Sequence, residues 1–391
     1  MNVKTLALAA AAAAAATSAQ AADLPLAAEP VNYVKACDAF GAGYFQLPGK
    51  ETCIKLGGRI RAQYVSHNLN DGLGDVTKEG AAEESVTFDH DSDPLTDDVT
   101  IVTKEAEEDE TNDYSSYVRG YLYFTSMTAT DIGTIKTYTE FQGEWNQEGT
   151  QSTKVNDAWV QIGADYGSFL FGRESSQFDA FTGYTWIVPG GISLSDVSTL
   201  QASFTADLGN GFTAVASVED SSYRGGEDNG VDIVGALKIS QGWGSFQLSG
   251  AAHNKADGDD YGYAAGATAT FNLDMVREGT EITFQAQYAD EAGAYITSDN
   301  DDAAKTGYSL SGGLETSLSE KISAQLDVSH VAFDDDSADY TKTSVNGSVV
   351  YSPVSGLGLA LAAGWNTQDD DDSTTDFDDE VKVGARVQYT F

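Results

Sequence analysis

The last eleven residues, VKVGARVQYTF, alternate without a break. Val381, Val383, Ala385, Val387, Tyr389 and Phe391 are apolar; Lys382, Gly384, Arg386, Gln388 and Thr390 between them are polar or Gly. A period of two puts each set on its own face of a β-strand. The same beat recurs upstream. Ile282, Phe284, Ala286 and Tyr288 alternate with Glu281, Thr283, Gln285 and Gln287, and Ile322, Ala324, Leu326 and Val328 with Lys321, Ser323, Gln325 and Asp327. The pattern predicts sixteen strands, near 54–65, 114–126, 132–145, 153–163, 168–174, 199–208, 211–220, 230–240, 244–253, 261–272, 280–290, 306–317, 321–332, 342–352, 357–366 and 379–391. The fifth has ambiguous parity, because Phe169, Phe171 and Arg173 share one side unless a bulge intervenes.

The connectors alternate as well. One set is short and turn-like: ATDIG (129–133), ADYG (164–167), GN (209–210), QGW (241–243), SLSE (317–320) and PVSG (353–356). Gly and Asn there supply the positive φ of tight hairpins. The other set is long and acidic. Ser66 to Asp113 holds sixteen Asp and Glu against two Lys, 334–339 reads DDDSAD, and 367–380 reads TQDDDDSTTDFDDE. Short turns at one end and long loops at the other describe an up-and-down antiparallel barrel with two unlike ends.

Parity also decides what the two faces meet. A soluble sandwich buries its apolar faces together and usually runs about 100 residues. A sixteen-strand ring has a lumen too wide for side chains to fill. The wet faces then line water and the oily faces meet lipid, where only a closed sheet satisfies every backbone group. The expected fold is all-β: a sixteen-stranded antiparallel transmembrane β-barrel. Strands 379–391 and 54–65 are both long and cleanly alternating, as the closing junction requires.

Charge and the first residues narrow the setting. The chain of 391 residues carries 61 Asp and Glu against 21 Lys and Arg, a formal net charge of −40. Nucleic acid is excluded as a partner, since phosphate binding needs clustered basic residues. Lys4, the eleven-residue apolar run Leu6–Ala16 and the A-x-A site at Ala19-Gln20-Ala21 read as a cleaved secretory signal over 1–21. Residues 22–53 then form a periplasmic N-terminal segment, and 54–391 the barrel. Export also makes a disulfide between Cys37 and Cys53 the expectation over two free thiols, contributing about 3 kcal/mol by closing its loop. Zinc would need further ligands nearby.

Two stretches carry a family resemblance. CDAFGAGYFQLPGKETCIKLGGRIRAQY (Cys37–Tyr64), following a signal that ends AQAADLP, resembles the N-terminal signature of the alphaproteobacterial general porins. AWVQIGADYGSFLFGRESSQFDAF (Ala158–Phe181) resembles that family's approach to its pore-constricting third loop, and Phe391 matches the C-terminal aromatic of outer-membrane barrels. The resemblance implies a homotrimer in outer-membrane lipid that passes small hydrophilic solutes and ions, with short periplasmic turns and long acidic extracellular loops. The acidity of the first and last loops departs from the commoner members, so ion preference does not carry over.

Candidate site residues follow from parity. Arg59 and Arg61 in the first strand, Arg119 in the second and Arg386 in the last point to the wet side of neighbouring strands, forming one basic patch on the pore wall. The alternative is that each pairs with a nearby wall acid. Opposite charge is expected from the connector 175–198, SSQFDAFTGYTWIVPGGISLSDVS, which is too apolar to stand in water. Folded into the lumen, its Asp179 and Asp196, with Glu174 at its root, would face the arginines across a slot. The competing placement is across the barrel mouth or on a neighbouring subunit. The acidic outer loops either gather cations, bind Ca²⁺ or Mg²⁺ weakly, or only solvate the surface; no EF-hand spacing is present and no cofactor is expected. Catalysis finds little support. There are four His (His67, His90, His253, His330) and no G-x-S-x-G, H-E-x-x-H or P-loop. A receptor or adhesin that binds a partner through its loops is the alternative function.

Overall fold

A computed structural model describes residues 35–47, 49–66, 77–78, 83–88, 99–104, 109–110, 114–147, 149–191, 193–256, 260–334, 340–370 and 377–391. The signal segment 1–21 and most of the acidic stretches, His67 and His90 included, lie outside the described residues.

Sixteen long strands make the barrel. They are β1 (Cys53–Ser66), β2 (Tyr114–Thr130), β3 (Gly133–Asn146), β4 (Gln151–Ala164), β5 (Gly167–Ser175), β6 (Ser198–Gly209), β7 (Phe212–Asp220) and β8 (Val231–Gln241). Then come β9 (Gly244–Asn254), β10 (Tyr261–Asn272), β11 (Glu281–Asp290), β12 (Thr306–Ser319), β13 (Ile322–Asp334), β14 (Tyr340–Val354), β15 (Leu357–Asp370) and β16 (Phe377–Thr390). Each pairs antiparallel with the next, and β16 returns to β1 with Gly384 opposite Val65 and Thr390 opposite Arg59. The sixteen strands read from alternation are all present, and the ring is closed.

Burial follows the parity. Outward Leu361 is 69% exposed and Ile233 59%, whereas inward Asn346, Ser309 and Asp327 are fully buried. A soluble protein would show the reverse, so the apolar band is a lipid-facing surface. Two details differ from the sequence reading. The register of β5 runs unbroken against β4 and β6; Phe169 and Phe171 face outward, and Arg173 sits on their side at the outer end, 3.7 Å from Asp157. The bulge is one strand earlier, between Val155 and Asp157, where it resets the parity so that Trp159 points inward. The turn between β6 and β7 is Asn210–Gly211, one residue later than read. Both residues have positive φ (53° and 79°), the conformation that a two-residue hairpin requires.

The segment ending at Cys53 is a compact unit of its own. Lys35–Ala36 pairs with Phe45–Gln46 around a short 3₁₀ turn, and Cys37 is bonded to Cys53 across a Cα separation of 6.1 Å. Within the first long connector, Glu83–Phe88 pairs with Val99–Lys104, so part of what reads as an unbroken acidic loop is a strand pair.

The junction of the ring is built around Gly58. Its N–H and C=O exchange hydrogen bonds of 3.0 Å with Phe391, whose ring lies over the glycine. A Cβ there would come within 2.5 Å of the Phe391 ring and 2.9 Å of the Tyr121 carbonyl oxygen. Deleting Phe391, or replacing Gly58→Leu, is therefore expected to lower the yield of heat-modifiable folded barrel by at least about threefold, since an unclosed edge is costly in lipid. Wild-type yields from both variants would refute this account of closure.

Candidate functional site: a folded-in loop and a basic wall

The connector 176–197 enters the lumen and lies along its wall. Phe178 is fully buried at Gly266 of β10, and Tyr184 donates its N–H to Asp327 of β13 at 2.9 Å. Thr185 adds its N–H and hydroxyl to the same carboxylate, each at 2.6 Å. Trp186 covers Gly358 of β15, and Ile187 packs with Val65, Val350, Ala360 and Ala362 beside Gly384 of β16. The chain turns at Pro189–Gly191, where the Gly190 N–H reaches Asn346 Oδ1 at 3.0 Å. It then returns past Ser329, which accepts from the Ser193 N–H at 3.0 Å. Gly358, Gly364 and Gly384 are small because the loop occupies the space their side chains would fill. Burying Ile187 or Phe178 is worth about 1.5–3 kcal/mol each, and each charge-assisted bond to Asp327 about the same.

A second inward segment, unread in the sequence, supports the first. Between β11 and β12 a helical turn, α1 (Ala294–Thr297), buries Tyr295 and Ile296 completely. Tyr295 stacks edge-on against Phe178 at 5.0 Å and donates its hydroxyl to Asp232 at 2.7 Å. His253 and the Asn254 N–H share that carboxylate. Its only signal was an apolar run, Ala292–Ile296, inside a connector.

Asp179 does not face the arginines. It is 3% exposed and ion-paired with the fully buried Arg224 at 2.9 Å, while also accepting from Ser195 Oγ and the Val197 N–H. Arg224 in turn donates to the Ala294 carbonyl oxygen at 2.7 Å. The expectation of a slot-facing Asp179 is thus corrected: a carboxylate at the loop's root closes the loop on itself and locks it to a neighbouring connector. Asp196 remains exposed on the loop. Glu174, next to the last residue of β5, is half-buried opposite Thr199.

The four arginines do share one stretch of wall. Arg386 Nε donates to Gln63 Oε1 at 2.8 Å, and Tyr117 OH donates to that same oxygen at 2.9 Å. Arg61 Nε donates to Gln388 at 3.1 Å. Arg59 lies 4.0 Å and Arg61 5.7 Å from the Tyr121 ring, and Arg119 lies 4.1 Å from the Tyr117 ring. Only Arg119 of the four has an ion pair among the described residues, to Glu144 of β3. Pairing with wall acids therefore describes one arginine and not the patch. The acids that border it are on the wall itself, on β3: Glu144, paired with Arg119, and Glu140, opposite Tyr123. Parity in the 132–145 segment already puts Glu140, Glu144 and Lys136 on one side.

A closed barrel with an apolar outside, a charged inner wall and a loop folded into its lumen is a diffusion channel of the bacterial outer membrane. The chain belongs to the porin family: the family described as "Porin subfamily" matches over residues 23–390. It is 30% identical over 384 residues to Porin Omp2b of Brucella suis biovar 1 (strain 1330), covering 91% of this chain and 90% of that protein. To Porin Omp2b of Brucella neotomae it is 29% identical over 388 residues, covering 92% and 91%. Among solved structures, the outer membrane channel DcaP of Acinetobacter baumannii superposes with a TM-score of 0.61 at 14% identity, over 87% of this chain and 97% of that one. The anion-selective porin from Comamonas acidovorans superposes at 0.55 and 14%, over 87% and 100%. The protein is an outer-membrane porin for passive diffusion.

Removing the Asp179 charge leaves Arg224 buried without a counter-ion, which typically costs about 3–5 kcal/mol. Asp179→Asn is expected to loosen the loop, seen as frequent current steps in single-channel recordings, whereas Asp196→Asn leaves the baseline quiet. Equally quiet traces from both would remove Asp179 from the anchoring role.

Proposed function

We propose that ions and small hydrophilic solutes cross between the loop and the inner face of β1–β5, and that the basic patch sets the charge preference there. One observation carries this reading. The loop's contacts fall on β6–β16 and the upper end of β1, and none of them is to Arg59, Arg61 or Arg119 among the described residues. Arg386 follows Gly384 on the inner face of β16, directly beneath Ile187. The acids bordering the patch, with exposed Asp196 on the loop, make the field lateral along the wall as well as transverse.

Passage requires no bond to form, so the channel is assigned neither a catalytic role nor a resident cofactor. The acidic outer connectors are assigned no more than weak contact with divalent cations. Three copies are proposed to assemble side by side. A shallow apolar hollow on the outer face, where β14–β16 meet β1–β3, supports this; Tyr64, Val118, Trp145, Leu361 and Val387 line it. Cross-linking in mild detergent should stop at three subunits.

Arg59→Glu with Arg61→Glu is expected to raise the cation-to-anion permeability ratio. A unit charge about 6 Å from an ion's path in water-like dielectric is worth about 0.7 kcal/mol, on the order of threefold. A salt-gradient reversal potential reads this directly, and an unchanged potential removes the patch from the path.

A further inference from the structure

The arginines account for the charge of the uncovered wall but not for its rings. Tyr121 and Tyr123 on β2, Tyr138 on β3 and Trp159 on β4 stand in one row. Successive centroids are 6.2, 6.4 and 5.6 Å apart, with planes 28°, 19° and 31° from parallel. Register produces the row: Tyr138 pairs directly with Trp159, and Tyr123 with Glu140 beside it. The bulge at Val155/Asp157 is what turns Trp159 inward. Rings of this size usually fill a dry core. Here Tyr123, Tyr138 and Trp159 are half-buried on a lumen wall that the folded loops leave uncovered.

The rim of the row is polar in both senses. Arg59 sits 4.0 Å from the Tyr121 ring and Lys136 5.2 Å from the Trp159 ring. Between them Glu140 accepts from Tyr138 OH at 2.9 Å and from Asn156 Nδ2 at 2.8 Å.

We infer that this row is a binding track for neutral, hydroxyl-rich ring compounds, pyranosides in particular, which rest on it transiently as they cross. The inference rests on the diffusion path proposed above and names a solute class for it. A pyranose presents C–H groups on its faces and hydroxyls around its edge. The negative face of an aromatic ring attracts the first. The second both donate and accept, matching a rim that mixes Arg and Lys N–H with carboxylate oxygens. A planar aromatic carboxylate would stack as well, but its charge would meet Glu140 and Asp157. Retention must be weak, because a channel site that holds its solute blocks the pore.

Planar-bilayer current through the full-length protein, titrated with maltotriose at constant salt, tests this. The expected result is a saturating fall in current, where a polyethylene glycol of similar size gives a fall linear in concentration. Tyr123→Ala with Tyr138→Ala should raise the half-saturating maltotriose concentration roughly fivefold or more. Tyr123→Phe with Tyr138→Phe, which keeps the rings, should stay near wild type. Trp159→Leu provides an independent variant if the double alanine fails to assemble, with the same direction expected. A linear response of the wild type to maltotriose overturns the inference, as does benzoate saturating at lower concentration than maltotriose. Loss of all channel activity in the wild type would instead defeat the diffusion path, so the two failures are distinguishable.

Discussion

Inside hydrocarbon there is no water to take up an unpaired backbone N–H or C=O, and a sheet in that setting must close. Everything else in this molecule is arranged around that constraint. Closure fixes β16 against β1 and puts Gly58 under the Phe391 ring. It also makes side-chain parity mean outside and inside for the whole circumference. Apolar residues on the outside are then stable where they stand, and Leu361 needs no partner from its own chain.

The same closure creates a lumen too wide to fill, and the chain fills part of it with its own connectors. The connector 176–197 and the segment carrying α1 bring Phe178, Ile187, Tyr295 and Ile296 to wall positions that are themselves small or apolar, such as Val234, Ala251, Ala264 and Val331. These two segments have in the lumen what a soluble domain has between its layers. Their polar ties are directional where the apolar packing is not. Asp327 accepts three hydrogen bonds from Tyr184 and Thr185, and Arg224 joins Asp179 to the Ala294 carbonyl. Losing either tie would strand a buried charge, so the loop has one low-energy position.

Alternation made the barrel legible, because a period of two survives every loop and names the face of each residue without knowledge of the fold. It placed Arg59, Arg61, Arg119 and Arg386 on adjoining strands, where their shared partners Gln63, Tyr117 and Tyr121 now join them. It misread what parity cannot encode. A bulge announces itself only when both neighbours are known, so alternation leaves the parity of β5 open and gives no sign of the bulge at Val155/Asp157. Asp179 was read as a free charge because its partner, Arg224, is 45 residues away on another connector. Parity puts the acids of β3 on the same wall as the arginines, whereas charge opposite them could come only from a loop.

The pairing of charges divides the lumen in two. On the side filled by the loops, the buried ionic groups are matched: Arg224 with Asp179, Asp232 with His253 and Tyr295, and Asp327 with three donors. On the uncovered side Arg59 and Arg61 rest on a ring and an amide, with no carboxylate against them among the described residues. Low dielectric forbids an unmatched charge and water permits one. The unmatched arginines therefore support the wet side proposed along β1 and β2, independently of where the loop contacts fall. A guanidinium that water solvates also keeps its field for passing ions, which a neutralising carboxylate would cancel.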